Sequence, residues 1–185
     1  HKDRGTDLYI VPLIDYDSDN GIILSGGPLF YKYNFRAEPY EYRLKLAASY
    51  AQEPDSYGID FNARFYSLIG GTRIDLRIFK SELSLTKYYG YGNETSFSDK
   101  LANADFYLLD RELVKVAPSI GVEIAENTFI SAGLSYDYSD AHLKNDTLLY
   151  NFPRFGYGEG RIRSMSFSAQ LEFDNRDNID HPESG

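Results

Sequence analysis

Residues 40–50 read Y-E-Y-R-L-K-L-A-A-S-Y, and apolar and polar side chains alternate along them. One face carries Tyr40, Tyr42, Leu44, Leu46, Ala48 and Tyr50, and the other carries Glu41, Arg43, Lys45, Ala47 and Ser49. Successive side chains of a β-strand point to opposite faces, so the stretch predicts a strand with one apolar and one polar surface. A helix would require a period of about 3.6 residues, which is not found here.

The same alternation recurs along most of the chain. It predicts seven or eight strands, near residues 8–16, 21–35, 40–52, 57–69, 72–89, 104–125, 129–140 and 162–175. The apolar positions change parity between Ile78 and Leu83, which predicts a β-bulge there. Pro118 is unfavourable for a central strand because it cannot donate to the ladder.

Composition excludes several functional classes. The net charge of −9 over 185 residues argues against nucleic-acid binding, which needs an excess of Lys and Arg. The chain has no Cys, so it has neither a disulfide framework nor a thiol nucleophile. The apolar runs are all shorter than the roughly 20 residues of a membrane helix.

Alternation fits both a soluble lipocalin-like sheet and a membrane barrel, because both separate an apolar from a polar face. Many predicted strands reach 12 residues; soluble strands have about 5–6, and a bilayer crossing needs about 9–11. Tyrosines cluster near strand ends, as in interfacial girdles: Tyr31, Tyr33, Tyr40, Tyr42, Tyr50, Tyr57, Tyr88, Tyr89, Tyr136 and Tyr138. We therefore predict an all-β fold, an antiparallel transmembrane up-and-down β-barrel, with about eight strands in this chain.

The predicted connections alternate in length. Those after strands two, four and six are tight, at residues 36–39, 70–71 and 126–128. Those after strands one, five and seven are longer or more polar, at residues 17–20, 90–101 and 141–161, and the third is intermediate at 53–56. Outer-membrane barrels have short periplasmic turns and long extracellular loops, so this pattern predicts a periplasmic N-terminus.

Two turn motifs stand out. The tail has the form D-x-R-D-N-x-x-x-P-x-x-G, formed by Asp174, Arg176, Asp177, Asn178, Pro182 and Gly185. Its Pro fixes φ and its Gly permits a positive φ, so a generic polar turn is the plain interpretation. The second motif, in residues 88–95, contains Gly90, Gly92, Asn93 and Thr95.

These motifs, together with the opening segment 12–22, resemble the bacterial surface-antigen superfamily of outer-membrane barrels. That superfamily includes the BamA and TamA assembly factors and barrels fused to patatin-like phospholipases or metallophosphoesterases. The resemblance implies that residues 1–185 are the N-terminal portion of a barrel domain, without its upstream periplasmic domain and C-terminal strands. It also implies the outer membrane of a Gram-negative bacterium, contact with phospholipid and lipopolysaccharide, and unfolded outer-membrane proteins or assembly-machine components as partners.

In this superfamily the first strand pairs weakly with the last, and the seam between them opens laterally. The resemblance makes residues 8–16 the gate strand, with Tyr9, Val11, Leu13 and Asp15 on one side of it. Apolar residues on both faces of this segment are compatible with weak register. The implied function is insertion or translocation of proteins. The alternatives are an anchoring or secretion barrel for an upstream enzyme, a small OmpA-type barrel and a soluble lipocalin-like binder.

Polar side chains give no catalytic, metal or cofactor site. Asp137, Asp140 and His142 could be drawn as a metal cluster, but polar loop composition explains them. We expect a non-enzymatic protein without cofactors. Arginines and carboxylates on the polar faces predict an interior network of ion pairs, each worth up to about 1 kcal/mol: Arg43, Arg64, Arg73, Arg77 and Arg111 with Glu41, Asp60 and Asp75.

Overall fold

The structure, a computed structural model, describes residues 4–17, 20–35, 39–52, 55–66, 71–83, 86–87, 98, 108–125, 128–142 and 160–173. Its strands are β1 (Gly5–Asp17), β2 (Gly21–Tyr33), β3 (Tyr42–Ala51), β4 (Ser56–Tyr66), β5 (Thr72–Ser81), β6 (Thr86–Lys87), β7 (Leu108–Ala125), β8 (Thr128–His142) and β9 (Gly160–Phe173). A search of these residues finds no helix of sufficient length and apolarity to span a membrane.

The strands form one antiparallel up-and-down sheet in the order β1-β2-β3-β4-β5-β7-β8-β9, and the two-residue β6 pairs with β7. The predicted all-β class and up-and-down topology are confirmed. β1 and β9 form the two edges, and within the described residues neither pairs with a further strand. The sheet is therefore open in this structure, and closure into a barrel stays a prediction.

Cross-strand register places the apolar faces of all strands on the same side. One row of directly paired residues runs across β2, β3, β4, β5 and β7 through Phe30, Leu44, Ala63, Leu76 and Pro118. The adjacent row runs through Tyr31, Arg43, Arg64, Asp75 and Ser119. Paired residues share a face, so the first row belongs to the apolar face and the second to the polar face.

The described strands do not enclose an apolar core. Their buried apolar residues are Tyr40, Ala51, Ala63 and Ala141, and no large side chain is fully buried. Phe167 and Met165, on the apolar face of β9, are 70% and 78% exposed. A soluble domain of this length buries large apolar side chains, because that burial is its main source of stability. The apolar face is thus left uncovered by the sheet itself.

The predicted strand 72–89 is interrupted. β5 ends at Ser81, whose Oγ accepts a hydrogen bond from the Leu83 amide at 3.1 Å, and pairing with β7 resumes at Thr86. Ser81 pairs with Leu113 and Thr86 with Leu109, so five steps on one strand face four on the other. Pairing is regular from Ile78 to Ser81, and the difference falls between Ser81 and Thr86, a stretch that includes residues outside the described ones, so the predicted β-bulge between Ile78 and Leu83 stays a prediction.

The connections differ in part from the prediction. Asp17 pairs with Gly21, whose φ is +64°, so the first connection comprises residues 18–20, one fewer than the predicted 17–20. The second connection, residues 34–41, is longer than predicted. The two long connections, residues 82–107 and 143–159, join strand ends that lie at the same end of the sheet, and β6 falls within the first.

Two prolines coincide with gaps in the ladder. The pairing of β2 with β3 skips Gly27 and Pro28, and the pairing of β7 with β8 skips Ala117 and Pro118. Proline has no amide hydrogen, so a one-sided gap accommodates it without shifting the register. At Gly27 the chain lies so close to β3 that an added Cβ would stand 2.0 Å from the Leu46 carbonyl oxygen.

We predict that Gly27→Ala lowers the free energy of unfolding by about 1–3 kcal/mol, because the new methyl group overlaps the β3 backbone. The matched control is Ser25→Ala, on the same face of β2, which should change it by less than about 0.5 kcal/mol. Denaturant unfolding followed by circular dichroism measures both. Equal stability of the two variants would contradict the close approach of β2 and β3.

Candidate functional site: the two faces of a curved sheet

The apolar face carries a band that has the same length on three of the strands. It runs from Leu8 to Tyr16 on β1, from Tyr42 to Tyr50 on β3 and from Met165 to Phe173 on β9. Each run covers eight residue steps of about 3.3 Å, or about 26 Å along the strand. A bilayer crossing needs about 9–11 tilted residues, so the band is close to that length.

The band crosses the sheet diagonally. On β1 the band begins at Leu8. The cross-strand row that contains Leu8 reaches β9 at Phe167, but the band of β9 extends six residues further, to Phe173. Six residues correspond to about 20 Å, and seven strand spacings to about 34 Å, which gives a slope of about 30°. The strands therefore lean by about 30° relative to the normal of the band, near the roughly 35–45° tilt of membrane barrels.

Aromatic and charged residues border the band. At one end Tyr42 packs between Phe30 and Phe65, with ring centroids 5.9 and 5.8 Å apart. At the other end Tyr50 pairs with Tyr57. The charged side chains of this face lie at its ends in the described strands, and two ion pairs join Lys80 to Glu112 at 3.1 Å and Arg161 to Asp140 at 3.0 Å.

Some predicted girdle tyrosines face the other way. Tyr31 and Tyr33 lie on the polar face, and Tyr40, which precedes β3, packs against Tyr31 and Tyr66 at 5.2 and 5.1 Å. The expectation that Tyr40 shares a face with Tyr42 is wrong, because the chain becomes extended only after Tyr40. Burial of the Tyr40 ring raises the pKa of its hydroxyl to about 12, so the group is neutral at physiological pH. Tyr88 and Tyr89 lie outside the described residues.

The polar face is concave. A single cavity of about 470 Å³ is lined by residues from β3, such as Arg43, and from β9, such as Glu172. In a flat sheet these strands would lie five spacings, or about 24 Å, apart. Both line one cavity because the sheet bends toward its polar side.

The predicted network of ion pairs is present in this cavity. Asp75 contacts Arg64 at 2.5 Å and Arg73 at 3.2 Å, and Asp60 contacts Arg77 at 2.8 Å. Arg111 instead donates to the Ser139 hydroxyl at 2.6 Å. The ion pairs of the described strands do not include Arg43 or Glu41, so the network is confirmed for three of the five arginines.

Arg73 makes a contact that the sequence did not predict. Its guanidinium reaches from β5 across β7 and β8 to Glu172 of β9 at 2.9 Å, and stands 5.0 Å from the centre of the Phe129 ring. Gly121 and Ser131, which follow Arg73 in its cross-strand row, leave room for the long side chain. Only 6% of the Arg73 side chain is exposed.

The predicted gate strand lies at an edge of the sheet. Tyr9, Val11, Leu13 and Asp15 pair with Leu29, Gly27, Ser25 and Ile23 and so belong to the polar face. β1 exposes large apolar side chains on both faces, among them Tyr9 and Leu13 on the polar face and Ile10 and Ile14 on the apolar one. Its outer side is unpaired within the described part of the chain.

The other predicted site residues fall outside the described residues. These are Gly90, Gly92, Asn93 and Thr95 of the loop motif and Asp174, Arg176, Asp177, Asn178, Pro182 and Gly185 of the tail. The possible metal cluster is not assembled, since Asp137 and Asp140 point to opposite faces of β8, where they contact Lys115 and Arg161. Comparison with protein families, curated proteins and solved structures finds no match to this chain.

We predict that Arg73 and Glu172 are energetically coupled. A double-mutant cycle with Arg73→Gln and Glu172→Gln should give about 1–2 kcal/mol, because Arg73 is shielded from water while Glu172 is partly exposed. The control pair is Arg161 and Asp140, whose arginine is 70% exposed, and its coupling should be clearly smaller. Unfolding in denaturant measures both cycles, and equal coupling in the two pairs would count against a shielded contact.

Proposed function

We propose that this sheet is the wall of a transmembrane β-barrel in the outer membrane of a Gram-negative bacterium. Its apolar band faces phospholipid and lipopolysaccharide, and its concave polar face lines an aqueous interior. The observation that carries the proposal is the diagonal apolar band, which has the same length on β1, β3 and β9. A hydrocarbon layer of fixed thickness requires such a band from tilted strands, and about 26 Å at a 30° slope gives about 23 Å, against about 25 Å in known barrels.

The direction of curvature argues against a soluble lipocalin-like binder. A soluble barrel turns its apolar side chains inward and its charged side chains to water. In this sheet the concave side holds Arg64, Arg73, Arg77 and Asp75, whereas Phe167 lies on the convex side. This arrangement supports the proposed membrane barrel, in which lipid lies outside and the interior is wet.

Single-tryptophan variants test the orientation directly, because the chain contains no Trp. Phe167→Trp places an indole on the convex face, and Ser166→Trp, its neighbour in β9, places one on the concave face. After reconstitution into bilayers, we expect phospholipids with brominated chains to quench Phe167→Trp and aqueous iodide to quench Ser166→Trp. If iodide quenches both variants equally and brominated lipid quenches neither, the membrane orientation is rejected.

We further propose that β1 is one side of a lateral seam, as in the BamA-like assembly factors, and that the protein inserts or translocates other outer-membrane proteins. Backbone groups without partners in hydrocarbon cost several kcal/mol each, so the outer side of β1 requires a partner strand in the membrane. An edge strand that exposes apolar residues on both faces is also a ready template for strand addition. These features of β1 support the proposal.

A photo-reactive amino acid in place of Tyr9 identifies the partner of β1 in cells. We expect adducts with newly synthesised outer-membrane proteins, because a client strand pairs with the open seam. The matched control carries the same amino acid at Tyr57, inside the sheet on β4, where adducts with clients should be absent. If position 9 forms adducts only with strands of the same barrel, β1 is permanently paired within that barrel. This result would reject the proposal that β1 pairs with strands of other outer-membrane proteins.

A further inference from the structure

Two cations on the concave face have no ion-pair partner among the described residues. Five cations stand around the β3–β5 part of this face, Arg43, Lys45, Arg64, Arg73 and Arg77, and the carboxylates that contact them are Asp60, Asp75 and Glu172. These contacts go to Arg64, Arg73 and Arg77, and in the described strands Arg43 and Lys45 receive none.

The unpaired positive charge is concentrated at Arg43. Arg43 pairs directly with Arg64 across β3 and β4, and like charges in directly opposed positions destabilise a sheet. Asp75 bonds to Arg64 and Arg73, but the described residues supply no carboxylate to Arg43 or Lys45. The Nε atom of Arg43 is buried without a hydrogen-bond partner. A buried donor without an acceptor is costly, and a guanidinium beside a second one costs more.

We propose that this part of the cavity binds a phosphoryl-type dianion, held by Arg43 with Lys45 and Arg64. A tetrahedral oxyanion accepts paired hydrogen bonds from the planar guanidinium and a point-charge contact from an ammonium group. Its negative charges offset the repulsion between the opposed arginines, and its oxygens give the Arg43 Nε an acceptor. The cavity of about 470 Å³ is many times the roughly 30 Å³ occupied by one water, so an organic phosphate also fits.

The inference stands on the cavity and its charges and does not require the lipid assignment. The full chain is purified in detergent, or in plain buffer if it needs none, and titrated with inorganic phosphate by calorimetry at constant ionic strength. We expect saturable one-to-one binding, and weaker binding of acetate and chloride. Phosphate binding can be measured whatever the result of the tryptophan test. The anion site and the membrane orientation can therefore be rejected independently of each other.

Arg43→Gln should raise the Kd for phosphate at least tenfold, because it removes a charge-assisted contact. The matched control is Arg163→Gln, which removes the same charge from the opposite face of the sheet and should leave the Kd within about twofold. Lys45→Gln, expected to weaken binding by a smaller factor, replaces Arg43→Gln if that variant fails to fold. Absence of saturation, equal Kd values for the two arginine variants, or equal affinity for chloride would overturn the site.

Discussion

Cross-strand register is the constraint on which the rest of this structure depends. Side chains alternate with a period of two, so a shift of one residue in any pair of strands would move that strand's apolar residues to the opposite face. The pairing between neighbours continues past Pro28 and Pro118 without a shift, because each proline opens the ladder on one side only. Both faces, and every contact within them, follow from this alignment.

The bend of the sheet has its own chemical basis. On β7, β8 and β9 the polar face is composed largely of small side chains, among them Ser119, Gly121, Ser131, Gly133 and Ser168. Small residues on one side let the strands close toward that side, while bulky residues such as Phe167 and Met165 spread the other side. The long Arg73 side chain fills part of the space that these small residues leave, and its bond to Glu172 ties β5 to β9 across the concave surface.

The sequence predicted what depends on neighbouring residues and not what depends on distant ones. Period-two alternation located the strands and their faces, and opposed charges on adjacent strands predicted the contacts of Asp75 and Asp60. Glu172 is 99 residues from Arg73, so only the strand order brings them together. The gap beside Pro118 depends on which side of the strand is paired, and the apolar pattern contains no information about that.

The course of the uncovered apolar band favours the proposed lipid over a protein partner. The strands of a second sheet packed on this face would lie nearly parallel to those of this sheet or at right angles to them. The apolar residues would then follow either the strands or the cross-strand rows of this sheet. Instead the band shifts across the rows from β1 to β9 and has the same length on β1, β3 and β9, with tyrosines such as Tyr42 and Tyr50 at its limits. The proposed hydrocarbon layer would produce this shift across tilted strands, because its thickness is fixed, and its surface favours rings with one apolar side and one hydroxyl.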